Sequence, residues 1–242
     1  MEHTVRLSAK PRRNWSDWAG FVFFLCFTVF LVIRAQRIAL LMLPTIAHEL
    51  LTAASFLLRS APRARLGGVA PRLTAYAATF IVPAFILVAS AYAPNWFHLS
   101  QSRALLSIGL FLWLLGVPLV LLGVWQLRRS FSIEPQARQF VTGGPYLLAR
   151  HPIYTGYLLQ YLGILLAHFN PIFAAVFVTW LMLALVRTRY EETVLIAAFP
   201  EYAMYKKRVG MFGPKLRTRA AITRSVPIRS CTRQASTEET QP

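Results

Sequence analysis

The chain has 242 residues, of which 56% are hydrophobic and only 14% are charged, with a mean hydropathy of +0.47. Soluble domains carry about 25% charged residues, so this composition excludes an ordinary soluble protein. The 26 Lys and Arg against 9 Asp and Glu give a formal net charge of +17, and in so apolar a chain this basic excess indicates cationic membrane-protein loops rather than a nucleic-acid-binding surface.

Six apolar runs predict six membrane-spanning helices. A spanning helix needs about 20 apolar residues, with a range of roughly 17–25. The fifth and sixth runs are short and are separated only by Asn170, so they predict a tight helical hairpin turned at Asn170-Pro171; the alternative for this pair is two helices of a soluble core. The predicted fold class is an all-α, polytopic membrane bundle. The runs cover residues 18–33, 38–58, 73–93, 104–127, 153–169 and 171–186.

The loops between these runs predict the topology. Of the 26 Lys and Arg, 23 fall on the side that holds both termini and 3 on the other side. By the positive-inside rule, both termini and the active site are expected in the cytoplasm. Cys26 in the first run and Cys231 near the end cannot form a plausible bridge in this topology, so both are expected to be reduced thiols.

The chain divides into four predicted segments. Residues 1–17 form a basic cytoplasmic segment and residues 18–127 form four transmembrane helices. Residues 128–214 hold the motifs described below. Residues 215–242 are rich in Arg, Ser and Thr and predict a disordered basic tail, which either touches anionic lipid headgroups or is simply solvated.

The second apolar run contains His48-Glu49 near its centre. An ionisable group in the middle of a bilayer is costly, so a functional role is one interpretation and a buried polar contact with another span is the other. No second histidine follows four residues later, and no Cys/His cluster occurs elsewhere, so no metal site is expected. A transporter or sensor that uses this pair is the alternative from a different functional class.

The loop before the fifth run reads RQFVTGGPYLLARHPIYTG over residues 138–156. Its Gly-Gly-Pro at 143–145 predicts a turn. Pro152 suits the first turn of a helix, which places His151 at a helix N-terminus beside Arg150. Such a terminus favours an anionic group. The alternative is a simple interfacial cap with Tyr154 as a residue of the aromatic belt.

The end of the sixth run reads RTRYEE over residues 187–192. Arg187 and Glu191 share one helix face at i,i+4 spacing, and Glu192 is expected to pair with Arg189 in a similar way. The alternative is two ordinary surface ion pairs. If the hairpin and the preceding loop are adjacent, these groups join His151 and Tyr154 in one site.

Residues 130–214 resemble the isoprenylcysteine carboxyl methyltransferase family, which is related to the membrane phospholipid methyltransferases. The pieces that carry the resemblance stand in the same order and spacing over roughly a third of the chain: VTGGPY, RHPIYTG, the Asn170-Pro171 hairpin, RTRYEETVL and FPEYAMYKKRV. The resemblance implies an S-adenosylmethionine-dependent methyltransferase whose cofactor pocket is built by the last helices and their loops. It also implies a membrane lipid or lipidated acceptor as partner, and no nucleic acid.

The resemblance further implies roles for individual residues. Arg187, one helical turn before Glu191, is implied to face the substrate as the catalytic residue. Two positions depart from the family pattern, since Arg138 stands where many members carry histidine and Pro200 replaces the usual glycine. The implied cofactor-binding residues are Arg138, Gln139, Phe140, Val141, Tyr146, His151, Pro152, Ile153, Tyr154 and Glu191.

The acceptor is predicted from the chemistry of methyl transfer. The cofactor carries the reactive methyl group, and the protein binds and orients the two partners. A carboxylate acceptor needs no base and would be neutralised by Arg187, whereas an amine needs a base that the sequence does not identify. We therefore expect a carboxylate, as in isoprenylcysteine O-methylation. The alternative acceptors are a phospholipid amine and a small hydrophobic thiol. The alternative enzyme is a sterol-type membrane reductase that uses NADPH.

Overall fold

The computed structural model describes residues 4–7, 15–34, 39–92, 100 and 102–215. Cys231, the tail beyond Lys215 and most of the basic N-terminal segment lie outside the described residues, and the predictions made for them stay predictions.

Seven helices account for most of the described chain, which confirms the mainly helical prediction. The first six follow the six apolar runs, because apolar helices close their own backbone hydrogen bonds and so suit a lipid environment. They are α1 (Trp15–Arg34), α2 (Ala39–Leu58), α3 (Val69–Tyr92), α4 (Arg103–Leu127), α5 (Pro152–Ala167) and α6 (Pro171–Ala198), followed by the short α7 (Tyr202–Arg208). The α5–α6 hairpin turns where predicted, since the Asn170 side chain caps α6 by accepting from the backbone N–H groups of Ile172 and Phe173.

Three of the described helices are long and apolar enough to cross a membrane, within Val69–Ala89, Arg103–Leu127 and Pro171–Ala198. With 25 residues, α4 is roughly 37 Å long, against about 30 Å for a hydrocarbon core. The apolar stretches of α1, α2 and α5 are shorter. The number of spans and the side of the termini therefore stay predictions.

The outer faces of these helices carry exposed apolar side chains. In water, apolar surface on this scale would mark an association site; against lipid it is the ordinary helix surface. Together with the three long apolar helices, it indicates a membrane protein. Cys26 lies on this surface as a free, exposed thiol, as expected. Examples of the exposed residues are Val22, Val29, Leu110, Phe111, Leu114, Val178 and Met182.

Helices α4 and α5 approach each other through glycines. Gly109, Gly116 and Gly123 follow one another at seven-residue intervals on α4 and face α5. A Cβ atom at Gly116 would stand 2.5 Å from the carbonyl oxygen of Gly156, so only glycine permits this contact between backbones. The close contact fixes the position of α5, whose first turn carries the predicted site residues.

A small antiparallel sheet is the part of the fold that the all-α prediction did not include. Its strands are β1 (Val5–Leu7), β2 (Ala64–Leu66) and β3 (Gln136–Ala137), in the order β1-β2-β3. Strands of two or three residues are too short to show an alternating pattern in the sequence. The sheet packs on the end of α6 and thereby anchors the chain just before Arg138. The buried residues of this contact are Ala64, Leu66, Ala137, Val194, Phe199 and Tyr202.

Candidate active site

The Gly-Gly-Pro segment forms the predicted turn. Gly144 has φ of +59°, a left-handed conformation that favours glycine, and starts a 3-10 turn at Gly144–Leu147. This turn presents the buried Tyr146, whose backbone carbonyl accepts from the Tyr205 hydroxyl at 2.6 Å. Burial raises the pKa of the Tyr146 phenol well above its usual value, so the hydroxyl stays protonated. The turn is thus held between α4 and α7.

His151 stands at the N-terminus of α5, as predicted, and is buried. The backbone N–H of His151 donates to the Met211 carbonyl at 3.0 Å, and that of Arg150 donates to the Gly210 carbonyl at 2.9 Å. The chain after α7, which no sequence motif singled out, therefore folds back to close this corner of the site.

Glu191 is the centre of the first polar cluster. Its Oε1 accepts hydrogen bonds from the Tyr154 hydroxyl at 2.7 Å and from Arg187 Nε at 2.9 Å, which confirms the predicted i,i+4 pair. Its Oε2 lies 3.7 Å from His151 Nδ1. The Arg187 guanidinium also lies 5.5 Å from the centre of the Tyr154 ring, a cation–π distance. Because the Glu191 side chain keeps 21% exposure, it is the carboxylate of this region that a ligand can reach.

Glu192 forms the second cluster, and its predicted pairing with Arg189 is corrected here. Its carboxylate lies 3.1 Å from Arg150 Nε, 3.3 Å from His151 Nε2 and 2.7 Å from Lys206 Nζ. Helical spacing cannot reveal these partners, because α5 and α7 bring them from other parts of the chain. A buried carboxylate requires such counter-charges, whereas Arg189 is exposed.

Arg187 makes more contacts than the sequence suggested. Its Nη1 donates to the Ala75 carbonyl at 3.1 Å and to Thr79 Oγ1 at 2.6 Å, both on α3, and its Nη2 donates to the Ser132 carbonyl at 3.3 Å. With the bond to Glu191, four protein acceptors face the five N–H donors of the guanidinium. Arg187 therefore links α3 to α6 and has little hydrogen-bonding capacity left for another carboxylate.

One cavity of about 170 Å³ runs beside these groups, roughly ten times the smallest space that holds a water molecule. It brings together ten of the eleven sequence-predicted site residues. The exception among the described residues is Pro152, which begins α5 and is fully buried away from the cavity; its predicted ligand contact is thus not supported. The ten are Arg138, Gln139, Phe140, Val141, Tyr146, His151, Ile153, Tyr154, Arg187 and Glu191.

Arg138 offers a free donor to this cavity. It is buried, and its Nη2 donates to Gln136 Oε1 at 2.8 Å, but its Nε has no hydrogen-bond partner within the described chain. Burial and the nearby Arg65 lower the pKa of Arg138 to about 10, so the group is still cationic at neutral pH. An anionic group in the cavity would satisfy this N–H.

Aromatic rings line the same end of the cavity. Phe140 packs against Tyr202 and Tyr205 with ring centres 5.6 and 5.5 Å apart. The hydroxyl of Tyr202 is buried and, among the described residues, makes no hydrogen bond. These two tyrosines are not among the predicted site residues, although their i,i+3 spacing on one helix face is a visible signal in the sequence. Such rings suit a flat aromatic group or a cation.

The far end of the cavity lies among the membrane-type helices and includes the second polar pair. Glu49 lines it together with Tyr157, Tyr161 and Trp180. His48 Nε2 lies 2.9 Å from the Tyr157 hydroxyl, which identifies the partner that sequence alone could not name. The pair in α2 therefore belongs to the same site as the loop residues.

Residues 104–202 match the family model described as phospholipid methyltransferase, a family that includes the isoprenylcysteine carboxyl methyltransferases. This confirms the predicted resemblance over residues 130–202, and the match also extends over α4. The chain is also similar to the cobalt-zinc-cadmium resistance protein CzcN of Cupriavidus metallidurans, at 34% identity over 142 residues, which are 57% of this chain and 60% of that protein. The match thus spans less than two thirds of that relative.

Proposed function

Because residues 104–202 match the phospholipid methyltransferase family, we propose that this protein transfers a methyl group from S-adenosylmethionine to an acceptor held in the membrane. The observation that carries the proposal is the single cavity that collects ten of the eleven predicted site residues. This cavity continues from polar loops into apolar helices, so a water-borne cofactor and a lipid-borne acceptor would meet within it.

The groups at the loop end of the cavity suit this cofactor. The free Arg138 Nε is a donor for the cofactor carboxylate, and Glu191 is an acceptor for its ammonium or ribose hydroxyl groups. Phe140 and Tyr202 offer flat surfaces for adenine. When bound, the cofactor supplies an electrophilic methyl group on a positively charged sulfur.

The protein's own task is to hold these groups still. Arg187 and Tyr154 both bind the same oxygen of Glu191, which fixes the direction of that carboxylate. Positioning of reactants is worth several kcal/mol, up to about 7–11 in well-oriented cases. Since the Arg187 donors already face protein acceptors, the expectation of a carboxylate acceptor has less support than the sequence suggested.

The test is binding of labelled S-adenosylmethionine to the detergent-purified protein. Glu191→Ala is expected to abolish binding, while Glu201→Ala, at an exposed glutamate beside α7, is expected to bind as the wild type does. Wild-type-like binding by Glu191→Ala would contradict the site assignment, and no binding by the wild type would contradict the proposed function. Thermal-shift measurements with S-adenosylmethionine and with NADPH separate it from the reductase alternative, since a ligand stabilises the protein that binds it.

A further inference from the structure

Glu49 is a buried carboxylate that no residue of the described chain pairs strongly. The residue is 5% exposed, and its Oε2 makes no hydrogen bond to any residue that the structure describes. Its Oε1 lies 3.7 Å from His48 Nε2, beyond hydrogen-bonding distance. His48 itself is occupied by the Tyr157 hydroxyl. A buried carboxylate without a partner is costly unless it takes up a proton or meets a donor, and a ligand in the cavity can supply that donor.

A row of tyrosines connects this carboxylate to the first cluster. Tyr154, Tyr157 and Tyr161 stand at i, i+3 and i+7 on one face of α5 and all line the cavity. The rings of Tyr157 and Tyr161 stack with centres 5.6 Å apart, and Trp180 meets Tyr161 edge-on at 4.8 Å. From Tyr154 to Tyr161 the helix rises roughly 10 Å. The cavity thus has a loop end at Glu191 and a membrane end beside Glu49.

We propose that Glu49 binds the nucleophilic group of the methyl acceptor, and that this group carries a proton, as an amine or a thiol does. The inference rests on the proposed function for the identity of the reaction. A free carboxylate oxygen attracts N–H or S–H donors and cationic ammonium groups. An acceptor carboxylate would instead bring two anions together, which is unfavourable in a buried site.

The proposed step balances with Glu49 as the proton acceptor. The lone pair of the nitrogen or sulfur forms a bond to the methyl carbon, while the bond from that carbon to the sulfonium sulfur breaks and its electron pair stays on sulfur. The proton of the nucleophile passes to Glu49 Oε2. The step needs no further reactant, and Glu49 is the base that an amine acceptor requires and that the sequence alone does not identify.

The position of Glu49 on α2 bears on which part of the chain selects the acceptor. The family match begins at residue 104, so Glu49 lies outside the part of the chain that the match covers. The matched residues line both ends of the cavity, and α2 adds an acceptor-binding carboxylate at the membrane end. Selection of the acceptor therefore depends on α2, a helix that lies outside the match.

The first test measures binding without methyl transfer. Saturated amphiphiles of one chain length that end in an amine, a thiol or a carboxylic acid are added to the detergent-purified protein, and the melting temperature is followed. The amine or the thiol should stabilise the wild type more than the acid does. Glu49→Gln should lose this preference, and its apparent affinity for the preferred amphiphile should be at least tenfold weaker than that of the wild type. Glu201→Gln is the matched control and should keep it. Equal or stronger stabilisation by the acid, or an unchanged preference in Glu49→Gln, would overturn the inference.

The second test measures methyl transfer from labelled S-adenosylmethionine to the same amine and thiol amphiphiles. Glu49→Gln should transfer about 10²–10⁴-fold more slowly, the usual contribution of a positioned base, while it binds the cofactor as the wild type does. Undiminished transfer would overturn the proposal, and the methylated probe tells amine from thiol. If the wild type binds no cofactor, the proposed function fails, whereas the binding test of Glu49 still gives its own answer.

A second variant covers the case in which Glu49→Gln does not fold. Glu49→Asp keeps the carboxylate and should retain the preference for the amine or the thiol. Loss of this preference in folded Glu49→Asp would count against the inference.

Discussion

Replacing Glu192 with glutamine removes the charge that Arg150, His151 and Lys206 share. The Glu192 and Arg150 side chains are only 4% and 8% exposed, so the substitution leaves a buried guanidinium without its counter-charge. Breaking a buried pair from one side costs about 3–5 kcal/mol, which corresponds to a fall in melting temperature on the order of 10 °C. The contact joins α6 to α7 and to the residues that directly precede α5, so affinity for S-adenosylmethionine should fall as well.

The assay is tryptophan fluorescence during heating of the protein in detergent, with Lys206→Met as the comparison. The Lys206 side chain is 43% exposed, and an exposed partner contributes about 0–1 kcal/mol. Glu192→Gln should therefore lose several times more stability than Lys206→Met does. Equal losses in the two variants would refute the conclusion that Glu192 is a buried structural anion.

Two further substitutions test the helix contact and the first cluster. Gly116→Ala places a methyl group 2.5 Å from a backbone carbonyl of α5 and should destabilise the protein by about 1–3 kcal/mol. Gly143→Ala is the control, because a Cβ atom there meets no atom within 4 Å, and its melting temperature should be almost unchanged. Equal melting temperatures in the two variants would argue against the close helix contact. Tyr154→Phe removes a 2.7 Å hydrogen bond to Glu191 and should weaken cofactor binding about 10–100-fold, since hydrogen bonds to charged groups are worth about 1.5–3 kcal/mol. Tyr92→Phe, at an 86% exposed tyrosine, is the control. Equal affinities of the two variants for S-adenosylmethionine would contradict the role of Tyr154 in holding Glu191.

The helices and two corners of the site are predictable from the sequence because the determining interactions are local. A long apolar run needs no distant residue to become a helix in lipid. The Asn170-Pro171 turn, the placement of His151 at a helix N-terminus and the Arg187–Glu191 pair all depend on residues within four positions of one another. The residues at the loop end of the cavity were assigned through the family resemblance, and all but Pro152 reach it.

The features that were missed depend on residues far apart in the chain. Glu192 meets Arg150 across 42 positions and Arg187 meets Ala75 across 112, so no helical spacing reports either contact. The cavity position of Glu49 depends on how α2 packs against α1 and α4, although the charged side chain in an apolar run already marked the residue as unusual. The sheet was not predicted because strands of two or three residues are too short to show an alternating pattern in the sequence.

The bonds from Arg150 and His151 to the carbonyls of Gly210 and Met211 have a consequence for biosynthesis. Both carbonyls follow all six apolar helices in the chain, so synthesis completes these helices before it reaches the residues that close the site. A chain that ended just before Gly210 would carry every apolar helix and would lack the two closing contacts. The corner of the cavity at His151 can therefore be completed only after residues 210 and 211 have been made.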